Sequence, residues 1–170
     1  MKAFNHFVID SSVSMLDYLY KGRDIQRFWV LEEIARAPYF AFLSVLHLRE
    51  SLGLRGQGHL YLMREHFEQT LNETEHLEFM ESVGGSAYWI DRALAKHLVL
   101  IYFWAMVVYY LIDPISAYHL NVLVEEHAGH TYGCFLNQNP DSEYAEKIKQ
   151  IQADEIEHAA ELRNAMEIIK

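Results

Sequence analysis

Two short strings of the sequence each carry a glutamate and a histidine at a spacing suited to binding a metal ion. Both strings read Asn or Asp, Glu, any residue, Glu and His, and they occupy positions 72–76 and 154–158. A separation of three residues places a glutamate and a histidine on one face of an α-helix. The candidate ligands are therefore Glu73 with His76 and Glu155 with His158.

A pair of adjacent glutamates inside an apolar run precedes each string. Glu32-Glu33 comes before the first string and Glu125-Glu126 before the second. The order is one glutamate, Glu-x-x-His, one glutamate, Glu-x-x-His, which is the ligand set of ferritin-like di-iron carboxylate bundles. Four carboxylates and two imidazoles suit a pair of Fe or Mn ions. Helical periodicity does not choose Glu32 over Glu33, or Glu125 over Glu126.

Both Glu-x-x-His pairs fall on helix faces that are otherwise apolar. The first face carries Phe67, Thr70, Glu73, His76, Leu77 and Met80, and the second carries Ile148, Ile151, Glu155, His158, Leu162 and Ile169. A buried, unpaired carboxylate is very costly, so such faces need a compensating partner. Either pair alone is better explained by ordinary solvated side chains, whereas the ordered set on four helices favours a metal centre.

Long segments of helical periodicity with few breaks predict an all-α fold and a single domain over residues 1–170. The predicted helices cover about 11–20, 24–52, 59–83, 87–112 and 115–136, and a sixth runs from Asp141 or Ser142 to the C-terminus. Pro38 is expected to kink the second helix. Gly53 is expected to terminate that helix, and Asp141 or Ser142 to cap the sixth.

The composition narrows the possible partners. Lys and Arg number 14 and Asp and Glu 24, which gives a formal net charge of −10 and argues against nucleic acid as a partner. Cys134 is the only cysteine, so no internal disulfide is possible, and we expect it to fill apolar space. The first residues lack the apolar core of a signal peptide, so we expect the chain to be used without import.

An uncharged run of 15 residues, Leu98–Ile112, permits three interpretations. It extends about 22 Å as a helix, short of the ~30 Å hydrocarbon core of a bilayer, which argues against a membrane span. A fully buried core helix and a helix lying in one leaflet are the other two. The helix lying in one leaflet is favoured, because Tyr102, Trp104 and Tyr109 are typical of membrane interfaces. In addition, a chain of this length has little protein with which to cover an apolar helix.

Four runs in order resemble the alternative oxidase family, and within it the plastid terminal oxidase branch. They are LEEIARAPYFAFLSVLHLRESLG (31–53), NETEHL (72–77), VEEHAGHTY (124–132) and ADEIEH (153–158). The resemblance extends over about residues 27–162. It implies a ferritin-like four-helix di-iron bundle, with Fe favoured over Mn, plus two membrane-interface helices in a homodimer bound to one leaflet. The connection at 137–142 is shorter than in plant members.

The same resemblance implies roles for individual residues. The metal ligands become Glu32, Glu73, His76, Glu125, Glu155 and His158. Tyr132 is expected beside the metals as a redox or hydrogen-bonding partner. The residues expected to line a quinol cavity are Arg27, Leu31, Ala128 and Thr131. Asn72 and Asp154 are expected to hydrogen-bond to the histidine ligands, whereas His127 and His130 are not needed as ligands.

The implied activity is oxidation of plastoquinol or ubiquinol coupled to four-electron reduction of O2 to water, without proton pumping. The expected location is the cytoplasmic or stromal side of a bacterial or thylakoid membrane. Three alternatives remain open. They are a di-iron hydroxylase or desaturase acting on lipid, a ferritin-like iron-binding protein without turnover, and a metal-free helical scaffold at a membrane.

Overall fold

The computed structural model describes residues 1–170, which form six α-helices and no β-strand. The helices are α1 (Lys2–Leu19), α2 (Asp24–Ser51), α3 (His59–Ser82), α4 (Trp89–Ile112), α5 (Pro114–Gln138) and α6 (Ala145–Ile168). The prediction of an all-α fold is confirmed, and each predicted helix corresponds to one helix of the structure.

Residues at the breaks determine where three of the helices end. Gly53 after α2 and Gly84 after α3 have φ angles of +72° and +91°, a left-handed conformation that glycine adopts without steric cost. Between α4 and α5, the Asp113 side chain accepts a hydrogen bond from the backbone N–H of Ser116 at 3.0 Å. Pro114 follows at the first position of α5, where a backbone N–H is not needed.

The first helix begins at Lys2, so the expected start near Ser11 is wrong. The reason is a tertiary anchor near the N-terminus. Asn5 is fully buried, its Nδ2 donates to the Ser116 carbonyl at 2.8 Å, and its Oδ1 accepts from the Tyr109 hydroxyl at 2.8 Å. These bonds attach the first turns of α1 to α4 and α5.

The sixth helix begins at Ala145, later than expected, and neither Asp141 nor Ser142 caps it. The preceding residues form two successive turns instead. The Ser142 N–H bonds to the Asn139 carbonyl at 3.1 Å, and the Ala145 N–H bonds to the Ser142 carbonyl at 3.0 Å. Helix α2, by contrast, continues through Pro38 without a break.

Helices α2, α3, α5 and α6 form a four-helix bundle, with α2 packed along α3 and α5 packed along α6. Helix α4 lies against α2 and α5, and α1 lies against α5. Two apolar clusters fill the interior, one containing Phe42 and Leu162 and the other Phe28 and Ile151. On each bundle helix the candidate ligands lie between the residues of one cluster and those of the other.

Helix α4 lies on the surface of the bundle. Only 17% of the most apolar 18-residue stretch of α4 is buried in the protein, so the interpretation as a fully buried core helix is wrong. Its length and composition are compatible with crossing a membrane. It has 24 residues, a rise of about 36 Å, because it extends beyond the uncharged run of the sequence.

One residue of the predicted inward face of α3 is misplaced. Phe67 is 56% exposed, because the buried face of α3 passes through His66, Thr70 and Glu73 instead. Phe67 therefore contributes to an outward apolar surface.

Candidate metal centre

Six side chains from the four bundle helices meet in one buried layer. They form two groups whose ligand atoms lie within 4.8 Å of one another, namely Glu32, Glu73, His76 and Glu155, and Glu73, Glu125, Glu155 and His158. Glu73 and Glu155 belong to both groups. The arrangement can therefore hold two ions, with the two shared carboxylates between them.

The structure separates the glutamates that the sequence left ambiguous. Glu33 turns away from the layer and pairs with Arg36 at 3.1 Å. Glu126 is exposed and forms an ion pair with Arg163. Their neighbours Glu32 and Glu125 point into the layer and are almost completely buried.

The two histidines direct the same ring nitrogen toward the carboxylates. His76 Nδ1 lies 3.5 Å from Glu32 Oε2 and 3.2 Å from Glu155 Oε1. His158 Nδ1 lies 2.9 Å from Glu73 Oε1 and 4.0 Å from Glu155 Oε2. Each half of the layer thus combines one histidine, one carboxylate of its own and the two shared carboxylates.

Unsatisfied polar atoms indicate that the layer fits metal ions. Fourteen buried side-chain atoms have no hydrogen-bond partner, and six of them lie in this layer, namely Glu32 Oε2, Glu73 Oε2, His76 Nδ1, Glu125 Oε2 and both carboxylate oxygens of Glu155. Buried polar groups are nearly always satisfied, and each unsatisfied one costs about 1–3 kcal/mol. No other part of the structure gathers so many of these atoms, and carboxylate oxygens with imidazole nitrogens suit Fe or Mn. The residues present therefore fit a pair of such ions.

Two tyrosines donate hydrogen bonds to Glu32 and Glu125, the two carboxylates that belong to only one ligand group each. Tyr132 on α5 donates to Glu32 Oε1 on α2. Tyr39 on α2 donates to Glu125 Oε1 on α5 at 2.8 Å. Both tyrosines are fully buried. Each of these glutamates therefore keeps only one oxygen free to bind a metal.

The two residues expected to bond the histidine ligands differ in what they contact. Asp154 Oδ2 lies 3.0 Å from His76 Nε2, so the carboxylate can fix the orientation of the ring and leave Nδ1 toward the layer. Asn72 forms no such bond, and its buried Oδ1 has no partner. The structure thus brings Asp154 to a histidine ligand but not Asn72.

Burial also changes the proton affinity of the layer. It raises the pKa of Glu32 to about 8, against the opposing effect of the hydrogen bond with His76. Burial, together with the negative charge of Glu73, raises the pKa values of Glu125 and Glu155 well above their ordinary range. A cation that binds these carboxylates therefore has to displace protons from them.

An apolar cavity of about 280 Å³ lies beside the layer, between α1, α2, α4 and α5, and 13 of its 15 lining residues are hydrophobic. Leu31, the residue before Glu32, forms part of its wall. The other two lining residues are Ser12 and His127, and Tyr102, one of the 13, adds a hydroxyl group. The Tyr102 hydroxyl is buried and has no hydrogen-bond partner. The cavity can therefore bind a mostly apolar molecule that carries polar groups at one end.

The predicted quinol residues are distributed unequally around this cavity. Leu31 lines it, whereas Arg27 and Thr131 contact the lining residue His127, at 3.5 Å and 3.3 Å from its Nε2. Arg27 also pairs with Asp17 at 2.6 Å. Ala128 is buried in the bundle core and does not line the cavity.

Sequence reasoning missed two tyrosines. Tyr39 follows Glu32 by seven residues, just as Tyr132 follows Glu125 by seven, so the repeated spacing was a usable signal. Tyr102 was considered only as a membrane-interface aromatic. Its position in the cavity wall depends on how α4 packs, which the sequence does not specify.

Comparisons with known proteins agree with the geometry. The model of the family "Alternative oxidase" matches residues 4–161. The chain is 41% identical over 152 residues to a ubiquinol oxidase 4 of Arabidopsis thaliana, described as chloroplastic/chromoplastic. The match covers 89% of this chain and 41% of the relative, so the chain spans about two fifths of the length of that protein. No solved structure matches.

Proposed function

The chain belongs to the alternative oxidase family, and we propose that it is a di-iron quinol oxidase acting at a membrane surface. The observation that carries the proposal is the pair of buried ligand groups sharing Glu73 and Glu155, with an apolar cavity beside them. A ferritin-like iron-binding protein without turnover has no need of such a cavity.

The proposed metal ligands are the six residues of the layer, with iron favoured over manganese by the family. Bound iron ions would supply O2 binding and the redox chemistry that side chains lack. The chain's own residues fix how the ligands are presented. Tyr39 and Tyr132 hold one oxygen each of Glu125 and Glu32, and Asp154 orients His76.

The apolar cavity is the proposed quinol site. Burial and the neighbouring Arg27 lower the pKa of His127, so its ring is neutral and can accept a proton from a quinol hydroxyl. The unpartnered Tyr102 hydroxyl can bond to the second quinol oxygen. Leu31 and the other apolar residues contact the ring and tail and exclude water. Plastoquinol is favoured over ubiquinol by the resemblance to the plastid branch.

The proposed reaction consumes two quinols for each O2. Two quinols release four electrons and four protons, which balance the reduction of one O2 to two waters without proton pumping. Tyr132, bonded to Glu32, is placed to lend one electron and its hydroxyl proton until the second quinol arrives.

The proposed membrane face consists of α1 and α4, which flank the cavity. Their large exposed apolar side chains include Phe4, Phe7, Met15, Tyr18, Ile101, Trp104, Val108 and Ile112. A lipid-soluble quinol could pass from the acyl region directly into the cavity between these helices. We propose attachment to one leaflet, on the stromal or cytoplasmic side.

A separate apolar surface on α3 supports the proposed homodimer. Leu60, Phe67 and Leu71 are all more than half exposed and follow one another at helical spacings of seven and four residues. Exposed apolar surface of this kind is typical of a protein interface.

The test is O2 uptake by the detergent-purified, iron-loaded protein with a short-chain quinol in the presence of cyanide. The decisive variant is Glu125→Gln, and its matched control is Glu126→Gln, one residue away and exposed. Cyanide-resistant uptake in the parent and the control, with loss in Glu125→Gln, supports the proposal. An iron-loaded parent that consumes no O2 would contradict it and favour oxidation of lipid C–H bonds.

A further inference from the structure

The metal layer is almost completely shielded from solvent. All six candidate ligands are at most 5% exposed. An ion from solution therefore needs a route through the protein. The apolar cavity is a poor route because moving a dication into apolar surroundings is prohibitively costly.

A second opening reaches the layer from the other side. It is a cleft of about 210 Å³ between α3 and α6, and none of its eight lining residues is hydrophobic. They are Glu65, Glu68, Gln69, Asn72, Asp154, Glu157, His158 and Glu161. Five of the eight are acidic and none is Lys or Arg, so the cleft attracts cations.

The floor of the cleft is part of the metal layer itself. The His158 side chain is only 6% exposed, and it lines the cleft while its Nδ1 bonds Glu73. Its Nε2, on the opposite edge of the ring, forms no hydrogen bond within the protein. The buried Oδ1 of Asn72, another lining residue, also has no partner. Unsatisfied polar atoms at the base of an acidic cleft are suited to a hydrated cation.

The walls of the cleft hold carboxylates close together. Gln69 Nε2 donates to Glu161 Oε2 at 2.9 Å. Burial and the neighbouring Glu65 raise the pKa of Glu161 to about 7, in spite of this bond. Two carboxylates that destabilise each other's charge gain from a shared cation.

We infer that this cleft, which we call the acidic port, binds divalent transition-metal ions from solution and passes them to the metal layer beside His158. The inference rests on the metal centre of the proposed function. It assigns separate sides of the molecule to the two kinds of ligand, because the port and the apolar cavity share no residue. Quinol would come from the face formed by α1 and α4, and metal ions from the water-facing side of α3 and α6.

The experiment follows the uptake of Fe²⁺ by the metal-free full chain under anaerobic conditions, at limiting Fe²⁺ and low salt. The port variant is Glu65→Gln/Glu68→Gln/Glu161→Gln. The control variant is Glu143→Gln/Glu146→Gln/Glu167→Gln, which replaces the same number of carboxylates at exposed sites in and just before α6, outside the port. Iron per chain is measured at intervals after rapid removal of free metal, and quinol oxidation is measured separately after full loading.

We expect the port variant to load at least about tenfold more slowly than the parent, with a weaker dependence on salt, because the charges that steer the ion are gone. The control should load at the parental rate. All three proteins should reach the same final iron content and the same oxidase activity, since no altered residue is a ligand or lines the quinol cavity.

A second variant, Glu68→Lys, reverses one charge at an exposed position and does not threaten folding. It should slow loading as well. Parental loading rates in both variants would overturn the acidic port and leave the quinol oxidase proposal intact. A parent that binds no iron at any concentration would overturn the metal centre and the port together.

Discussion

The two tyrosines beside the metal layer link opposite helices in a reciprocal way. Tyr39 of α2 bonds the glutamate of α5, and Tyr132 of α5 bonds the glutamate of α2. A carboxylate with one oxygen engaged by a buried hydroxyl cannot rotate freely to chelate an ion with both oxygens. Glu32 and Glu125 would therefore each offer one free oxygen to a metal ion, and Glu73 and Glu155 belong to both ligand groups.

Replacing Tyr39 with Phe should weaken the half of the centre that contains Glu125. The substitution keeps the ring but leaves the buried Glu125 Oε1 unpaired, a loss of roughly 1–2 kcal/mol, or about tenfold in affinity for one of the two ions. Iron affinity measured by competition with a chelator, together with the absorption spectrum of the loaded protein, checks this.

Tyr118→Phe is the matched control, since Tyr118 is equally buried but bonds His66 and Tyr110 rather than a ligand. Equal iron affinities in Tyr39→Phe and the control would contradict the role of Tyr39.

Much of this layer could be predicted from residue spacing alone. Spacing did not choose between Glu32 and Glu33, or between Glu125 and Glu126. Exposure separates Glu126 from Glu125, but Glu33 is itself buried, so burial does not separate it from Glu32. What separates them is Arg36, three residues along the same helix, which pairs with Glu33. The interhelical bonds of Tyr39 and Tyr132 could not be predicted because they depend on the distance between α2 and α5.

At the scale of helices, a buried hydrogen-bonded chain joins α4, α5 and α3. Tyr110 bonds Tyr118 at 2.7 Å, and Tyr118 bonds His66 Nε2 at 2.7 Å. His66 Nδ1 lies 2.8 Å from Gln69 Oε1, so Nδ1 carries the proton and Nε2 accepts from the tyrosine. Burial lowers the pKa of His66 to about 4, against the opposing effect of the hydrogen bond with Gln69, so the ring is neutral near pH 7.

Because this histidine is buried in its neutral form, it lowers the free energy of unfolding as the pH falls. The pKa rises from about 4 in the folded chain to the model-compound value of 6.5 on unfolding, so the unfolded state binds more protons below pH 6.5. The contribution to stability is full above pH 6.5 and falls on acidification. It should decrease by about 2 kcal/mol between pH 8 and pH 5.

Urea unfolding of the parent and of His66→Gln isolates this contribution. The difference in their free energies of unfolding should shrink by that amount between pH 8 and pH 5. His47→Gln, at an exposed position, should give no such change. A difference that is constant with pH would show that His66 is not the responsible group.

The outward face of α4 is expected to bind the membrane, and the outward face of α3 is expected to form the dimer. Trp104 on α4 is 60% exposed and Phe67 on α3 is 56% exposed, so a glutamate at either position should leave the core intact. We expect Trp104→Glu to lower binding to lipid vesicles severalfold without changing the oligomeric mass. Phe67→Glu should reduce a dimer to monomers without changing vesicle binding.

Vesicle flotation and light scattering of both variants provide the check, and each serves as the control for the other. If both substitutions affected the same property, the two faces would not have the separate roles proposed for them.

The existence of all six helices could be predicted because helical periodicity is local. Two features depended on tertiary contacts instead. The start of α1 depends on Asn5 reaching Ser116 and Tyr109. The exposure of α4 depends on its packing against α2 and α5. An apolar run in the sequence does not show whether protein or lipid covers the helix.

On the scale of the whole molecule, the bundle separates an apolar side from an acidic one. The cavity opens among α1 and α4, and the acidic port opens between α3 and α6. The metal layer lies between the two openings. Four buried carboxylates in one layer repel each other, so the layer must carry protons or cations for the bundle to be stable.

Metal and protons should therefore compete for the layer. Without metal, the pKa of Glu32 is raised to about 8 from its ordinary value of 4.5, so the folded chain binds more protons than the unfolded chain. This contribution to stability is complete below pH 4.5 and is lost as the pH rises through 8. Bound metal replaces the protons and should become more stabilising over the same range.

We expect the rise in Tm on adding Fe²⁺ or Mn²⁺ to grow steadily from pH 6 to pH 8. If each ion displaces at least one proton, its affinity should increase by at least about tenfold per pH unit. Proton release on metal addition in weakly buffered solution measures the same competition directly. Glu155→Gln should release fewer protons than the parent, because a shared carboxyl with a raised pKa is gone. An affinity independent of pH would mean that the buried carboxyls are already ionised before metal binds.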